Sequence, residues 1–191
     1  MKNAILIHGW NDRSEYYDPD RPTASNDHWL PWLTKQLVLK DINTVAIEMP
    51  DGHYPKYDVW KRELERYDVS ADTILVGHSC GGGFLVRWLG ETDKRVGKVI
   101  LVAPWLGLDT GDEPFDKSFF DFKIEPSIAE RTAGLSIMIS DDDMKSVLDS
   151  VDILRNKLVG AEYREFHGKG HFTKGSLGGE ACPAILEEIL R

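Results

Sequence analysis

The sequence has only two cysteines in 191 residues, Cys80 and Cys182. That number builds no disulfide framework, and a reducing compartment fits it best. Long hydrophobic runs are absent too: the apolar stretch at residues 4–7 is far too short for a signal-peptide core or a membrane span. Lys and Arg total 23 against 32 Asp and Glu, a net charge of −9 with no basic cluster. This balance disfavours nucleic acid and anionic membrane as partners. There is no internal repeat, low-complexity tract, linker or G-x-G-x-x-G fingerprint. A cytoplasmic protein is expected, without membrane or nucleic-acid partners. With 41% hydrophobic residues, residues 1–191 suit one well-buried core and are too few for two ordinary domains.

What is present is a rhythm of short apolar runs and helical patterns. Strands are predicted at 4–7, 43–48, 72–76, 96–102, 135–140 and 161–166. Between them lie helices: one over 28–39, capped by Asn26 or Asp27 with Pro31 in its first turn, and one marked by Trp60, Leu64 and Tyr67. Phe84, Leu85, Trp88 and Leu89 mark a third, Val147, Val151, Leu154 and Leu158 a fourth, and a last begins near Pro183. This alternation predicts a three-layer α/β/α sandwich on a six-stranded, mostly parallel sheet with right-handed crossovers. Residues 104–134 interrupt the rhythm. Rich in Asp, Phe, Pro and Gly, they read as a long excursion over the carboxyl edge of the sheet. Trp105 and the phenylalanines there suggest an apolar pocket wall, or simply a cover for the sheet.

The most informative stretch is Gly77-His78-Ser79-Cys80-Gly81, where a buried strand meets a helix. A turn this sharp strains the serine backbone and leaves no room for side chains on its flanks, so glycines belong at 77 and 81. The helix that follows aims its free N–H groups at the hydroxyl, a setting suited to an oxyanion, and the N–H of Cys80 is one of them. A serine hydroxyl needs a base to take its proton and a carboxylate to orient that base. Downstream the chain offers an aspartate from the run 141–143 and then His171, in the order Ser, Asp, His. His167 competes as the base but lacks the Gly-x-Gly mobility that precedes His171. His78 reads as a packing residue of the turn. His8, Ser79, Trp105, Asp143 and His171 all follow predicted strands, so they share one sheet edge, where such sheets place their sites.

The runs Leu6-Ile7-His8-Gly9, Gly77-His78-Ser79-Cys80-Gly81, Ser140-Asp141-Asp142-Asp143 and Gly170-His171-Phe172 span nearly the whole chain. In them it resembles an α/β hydrolase, most specifically the small serine hydrolase family typified by retinoblastoma-binding-protein serine hydrolases and their bacterial YdeN-like relatives. The resemblance implies a catalytic triad of Ser79, Asp143 and His171, because the family's acid stands three residues after the small residue that ends its strand, here Ser140. It also implies Trp10 as the second backbone N–H of the oxyanion hole, beside Cys80. The family commonly has Pro after the acid, where this chain has Met144, and Ser or Gly in place of Cys80. The expected activity is that of a carboxylesterase acting on small esters or thioesters through an acyl-enzyme, without cofactor or metal, since acids without a paired histidine or defined spacing specify no metal site. An interaction protein on a hydrolase fold, with an unspecified protein partner, and an acyltransferase with the same triad are the alternatives.

Overall fold

The computed structural model describes residues 2–111 and 115–191; residues 112–114 of the excursion lie outside the described residues. The chain runs β1 (Asn3–Ile7), α1 (Arg13–Tyr16), α2 (Leu30–Val38), β2 (Asn43–Ile47), α3 (Tyr57–Leu64), β3 (Thr73–His78), α4 (Cys80–Glu91) and β4 (Val99–Val102). It continues through β5 (Leu135–Ser140), α5 (Lys145–Lys157), β6 (Glu162–Phe166), α6 (Lys174–Leu177) and α7 (Pro183–Leu190). The strands form one sheet in the order β2-β1-β3-β4-β5-β6. Every pairing is parallel, with Ile5 beside Val45 on one side and Leu75 on the other. β1, β3, β4 and β5 are almost wholly buried, as parallel strands with both faces covered must be. α2 packs on β2 and α7, while α4 lies across β3 and β4. Right-handed crossovers place these helices on opposite faces of the sheet.

Two local expectations change. α2 starts at Leu30, with Trp29 at its cap position and no side-chain cap bond. Asn26 lies in a separate short turn, and the Asp27 carboxylate takes the N–H of His28 at 2.6 Å. That bond and the left-handed backbone of His28 (φ 53°) delay the helix by two residues. α3 ends at Leu64 rather than reaching Tyr67.

The 104–134 excursion contains two 3₁₀ turns, Lys117–Phe120 and Ile128–Arg131. It is tied to α4 by Arg87, which donates to the carbonyls of Ser118 (2.7 Å) and Phe119 (2.9 Å) while its guanidinium lies 3.5 Å over the Tyr57 ring. Phe119 is fully buried against Trp60 and Phe84. Trp105 and Phe115 pack on one another at 5.2 Å. These aromatics cover the helical layer.

At the other end of the sheet Glu188 of α7 is buried and accepts bonds from Ser136 Oγ (2.6 Å), Arg164 Nε (3.0 Å) and Arg191 Nη2 (2.7 Å). Burial alone would raise its pKa, but the bonds from Arg191, Ser136 and Arg164 outweigh it and hold the carboxyl at about 2, below its ordinary 4.5. A pKa depressed by folding stabilises the fold fully above the unfolded value, and this contribution fades as pH falls from 4.5 toward 2. Glu188→Gln should flatten that part of the acid-unfolding curve. At neutral pH it should cost at most about 3 kcal/mol, since both arginines are partly exposed and screened. Urea melts at pH 7 and pH 3 check this; equal pH dependence in both proteins would refute the assignment.

Candidate active site

The carboxyl ends of β1, β3, β5 and β6 meet at one edge. Ser79 follows the last residue of β3 and carries φ 52° and ψ −120°, a strained backbone for a residue with a Cβ. Its N–H bonds Val102 O at 2.9 Å, and its carbonyl accepts from Gly82 (2.9 Å), Gly83 (3.1 Å) and Trp105 (3.0 Å). These bonds hold the strain in place. A Cβ on Gly77 would stand 2.6 Å from Gly81 O, and one on Gly81 would stand 2.7 Å from Ile7 O. Neither position tolerates a side chain, because strand and helix meet at backbone distance.

His171 lies in the loop after β6. Its Nδ1 donates to Asp143 Oδ1 at 2.9 Å, with Oδ2 at 3.1 Å. The Asp143 side chain is 0% exposed and the imidazole 18%. Met144 N–H also donates to Asp143 Oδ1, at 2.7 Å. Ser79 and His171 line a common cavity of about 180 Å³ with His8, Trp10, His28 and His78. Neither Ser79 Oγ nor His171 Nε2 bonds another group among the described residues.

The three consecutive aspartates have three different tasks. Asp141 pairs with the exposed His167 at 2.6 Å, and this contact raises the pKa of the histidine. Asp142 Oδ1 accepts from Ser140 Oγ (2.6 Å) and Gly170 N (2.9 Å). Ser140 Oγ in turn accepts the N–H of Lys169 at 2.9 Å. Asp141 and Asp142 are therefore anchors of the His171 loop; α5 begins only at Lys145. Among the described residues no three His, Cys, Asp or Glu side chains are grouped to hold a metal ion.

The N–H groups of Trp10 and Cys80 bond no acceptor among the described residues. A Cβ on Gly9 would lie 3.1 Å from Ser79 Cβ, so the β1 loop packs directly against the serine. Burial holds the Cys80 thiol well above its ordinary pKa, which keeps it protonated and unreactive.

Neither Trp105 nor a phenylalanine of the excursion lines the cavity; Trp10 is the aromatic that does. His8 lines it but is buried as a clamp, its Nδ1 donating to Gly9 O (2.6 Å) and its Nε2 accepting Met49 N–H (2.9 Å). Its pKa is lowered, mainly by burial. His78, expected only to pack, donates from Nε2 to the carbonyl of His171 at 2.8 Å. Burial first, then the neighbouring His171, holds its pKa well below the ordinary value, so it stays neutral. Glu15, Asp27 and His28 complete the polar wall. Glu15 comes from α1 and the other two from the loop before α2, a segment whose sequence carries no motif.

The family model described as serine hydrolase matches residues 4–186. The chain belongs to the serine hydrolase family. It is 28% identical to YdeN of Bacillus subtilis (strain 168) over 196 residues, covering 98% of this chain and 94% of that one. The crystal structure of the ydeN gene product from B. subtilis superposes with a TM-score of 0.80 at 24% identity, over 100% of this chain and 97% of that one. An alpha-beta serine hydrolase homologue from Coxiella burnetii gives 0.63 at 17%, over 99% and 83%. Est1E from Butyrivibrio proteoclasticus gives 0.64 at 14%, over 100% and 89%. As a serine hydrolase the protein has the α/β-hydrolase fold, and its sheet is wholly parallel. Among the described residues no helix is long and apolar enough to cross a membrane.

Proposed function

We propose that the protein is a carboxylesterase-type serine hydrolase that cleaves small esters or thioesters through an acyl-enzyme. The observation that carries this reading is the buried Asp143 carboxylate bonded to Nδ1 of His171 in the cavity that Ser79 also lines. With Nδ1–H held by Asp143, the deprotonated Nε2 is the basic atom of the ring. It takes the proton of Ser79 Oγ as the oxygen attacks the ester carbonyl, and the carboxylate stabilises the imidazolium that forms. The N–H groups of Trp10 and Cys80 receive the oxyanion. Collapse of the tetrahedral adduct passes the proton from Nε2 to the leaving alkoxide or thiolate. Water, activated by the same Nε2, then releases the acid and restores Ser79.

The size of the cavity sets the substrate class. A volume of about 180 Å³ is below the range of roughly 300–1,000 Å³ usual for drug-sized ligands. A short acyl group fits within it, whereas a long one has to extend out of it into solvent. On p-nitrophenyl acetate, butyrate and octanoate, kcat/KM should fall by about tenfold or more between the short esters and octanoate. Absence of turnover on all three would refute the esterase reading, and a rise toward octanoate would refute the short-chain assignment.

A further inference from the structure

The cavity beside Ser79 contains an imidazole that the acyl-transfer steps above do not use. His28 sits between the extended Asp27 (φ −109°, ψ 171°) and α2, in left-handed backbone conformation at φ 53°. Histidine adopts this conformation more readily than most residues, at a small cost. The ring lines the same cavity as Ser79 and His171 and meets His78 edge to face at 5.9 Å.

Its polar atoms are not equivalent. The backbone N–H of Lys174 approaches Nδ1 at 3.3 Å, so Nδ1 is an acceptor. Asp27 Oδ1 lies 3.6 Å from Nδ1, beyond a hydrogen bond, and already takes the His28 backbone N–H at 2.6 Å. Burial lowers the pKa of the ring against the opposing pull of Asp27, so the ring is neutral. A neutral imidazole that accepts at Nδ1 carries its proton on Nε2. Among the described residues that Nε2–H has no acceptor, and its ring faces the cavity where the ester binds. The same wall holds two carboxylates, Glu15 and Asp27. Glu15 is paired with Arg21 at 2.7 Å, whereas Asp27 makes no ion pair with a lysine or arginine among the described residues and only adds to the charges that raise the pKa of Lys174. An anionic group would be repelled here; a neutral oxygen would not.

We propose that His28 is a substrate-contacting, specificity-determining residue whose Nε2–H donates to a second, uncharged oxygen of the ester, so that the preferred substrates are small esters bearing a hydroxyl, ether or carbonyl oxygen beside the scissile group. This rests on the esterase reading and deepens it. The His28 side chain is 29% exposed, so water meets the donor in the free enzyme; when the ester covers the site that water is displaced, and an analogue without the oxygen leaves the donor unpaired, which is how polar sites reject near-isosteres.

Two isosteric pairs test it, one on each side of the ester: p-nitrophenyl methoxyacetate against p-nitrophenyl butyrate, and 2-methoxyethyl acetate against butyl acetate. The readout is the ratio of kcat/KM within each pair, compared between wild type and variants, which cancels intrinsic reactivity and any loss of folded protein. His28→Asn tolerates the left-handed backbone and can keep the Lys174 N–H bonded through its amide oxygen, but it cannot place a donor where Nε2 stood. It should lower the ratio about tenfold in one pair, and that pair shows which side of the ester carries the oxygen. His28→Gln, whose amide nitrogen reaches the Nε2 position, should recover most of the ratio. Ratios unchanged in both pairs for His28→Asn, with hydrolysis still measurable, would overturn the role of His28 and leave the esterase reading standing. Failure of wild type to hydrolyse any of the four esters would overturn both.

Discussion

Ser79→Ala and His171→Ala should each reduce turnover of p-nitrophenyl butyrate by about 10⁴-fold to 10⁶-fold, and the double variant should lose little more. The non-additivity follows from the chemistry: once the hydroxyl is gone the base has no proton to take, and once the base is gone the hydroxyl remains a poor nucleophile. Folding should survive in both. Ser79 Oγ holds no hydrogen bond that alanine would forfeit, and its backbone is held through its own N–H and carbonyl. In His171→Ala the buried Asp143 keeps the Met144 N–H at 2.7 Å, which limits the cost of the lost partner. Steady-state kinetics together with thermal melts separate catalysis from stability. Additive losses in the double variant would show that the two residues do not act as one unit.

Asp143→Asn should lower turnover by roughly 10⁴-fold, whereas Asp142→Asn should lose less than about tenfold. An amide at 143 can offer its NH₂ to Nδ1 of His171, which then becomes an acceptor and moves the ring proton to Nε2. That tautomer cannot take the proton of Ser79. At 142 the same change retains Oδ1, the atom that accepts from Ser140 Oγ and Gly170 N, so the loop bearing His171 stays anchored. A crippled Asp142→Asn beside a normal Asp143→Asn would move the acid by one residue and refute the assignment.

The six strands are legible because a parallel sheet covered on both faces demands short continuous apolar runs, and Ala4, Ile5, Leu6 and Ile7 are such a run. Ser79 is legible because its strained turn requires glycine on both flanks. The carboxylate that meets His171 is harder to find. Composition and periodicity leave three adjacent aspartates equal, and only the count from Ser140 taken over from the resembling family separates Asp143. The start of α2 is misread because Asp27 looks like a helix cap, yet its carboxylate takes the N–H of His28 and the chain passes through a left-handed residue before the helix begins. Nothing in the order of residues reports that reversal. The two 3₁₀ turns of the excursion escape for another reason: four residues are too few to show a period. His78 and His28 acquire their contacts from residues 93 and 146 positions distant, a pairing that local patterning does not encode.

The central claim is that Ser79 is an activated nucleophile beside a working oxyanion hole. Treatment with a fluorophosphonate probe tests this without knowledge of the natural substrate, since phosphonylation requires both features. Peptide mass spectrometry of the wild-type protein should find the adduct on Ser79, with labelling abolished in Ser79→Ala and strongly slowed in His171→Ala. Wild-type protein left unmodified under conditions that label a control serine hydrolase, or an adduct carried by a residue other than Ser79, would contradict the claim.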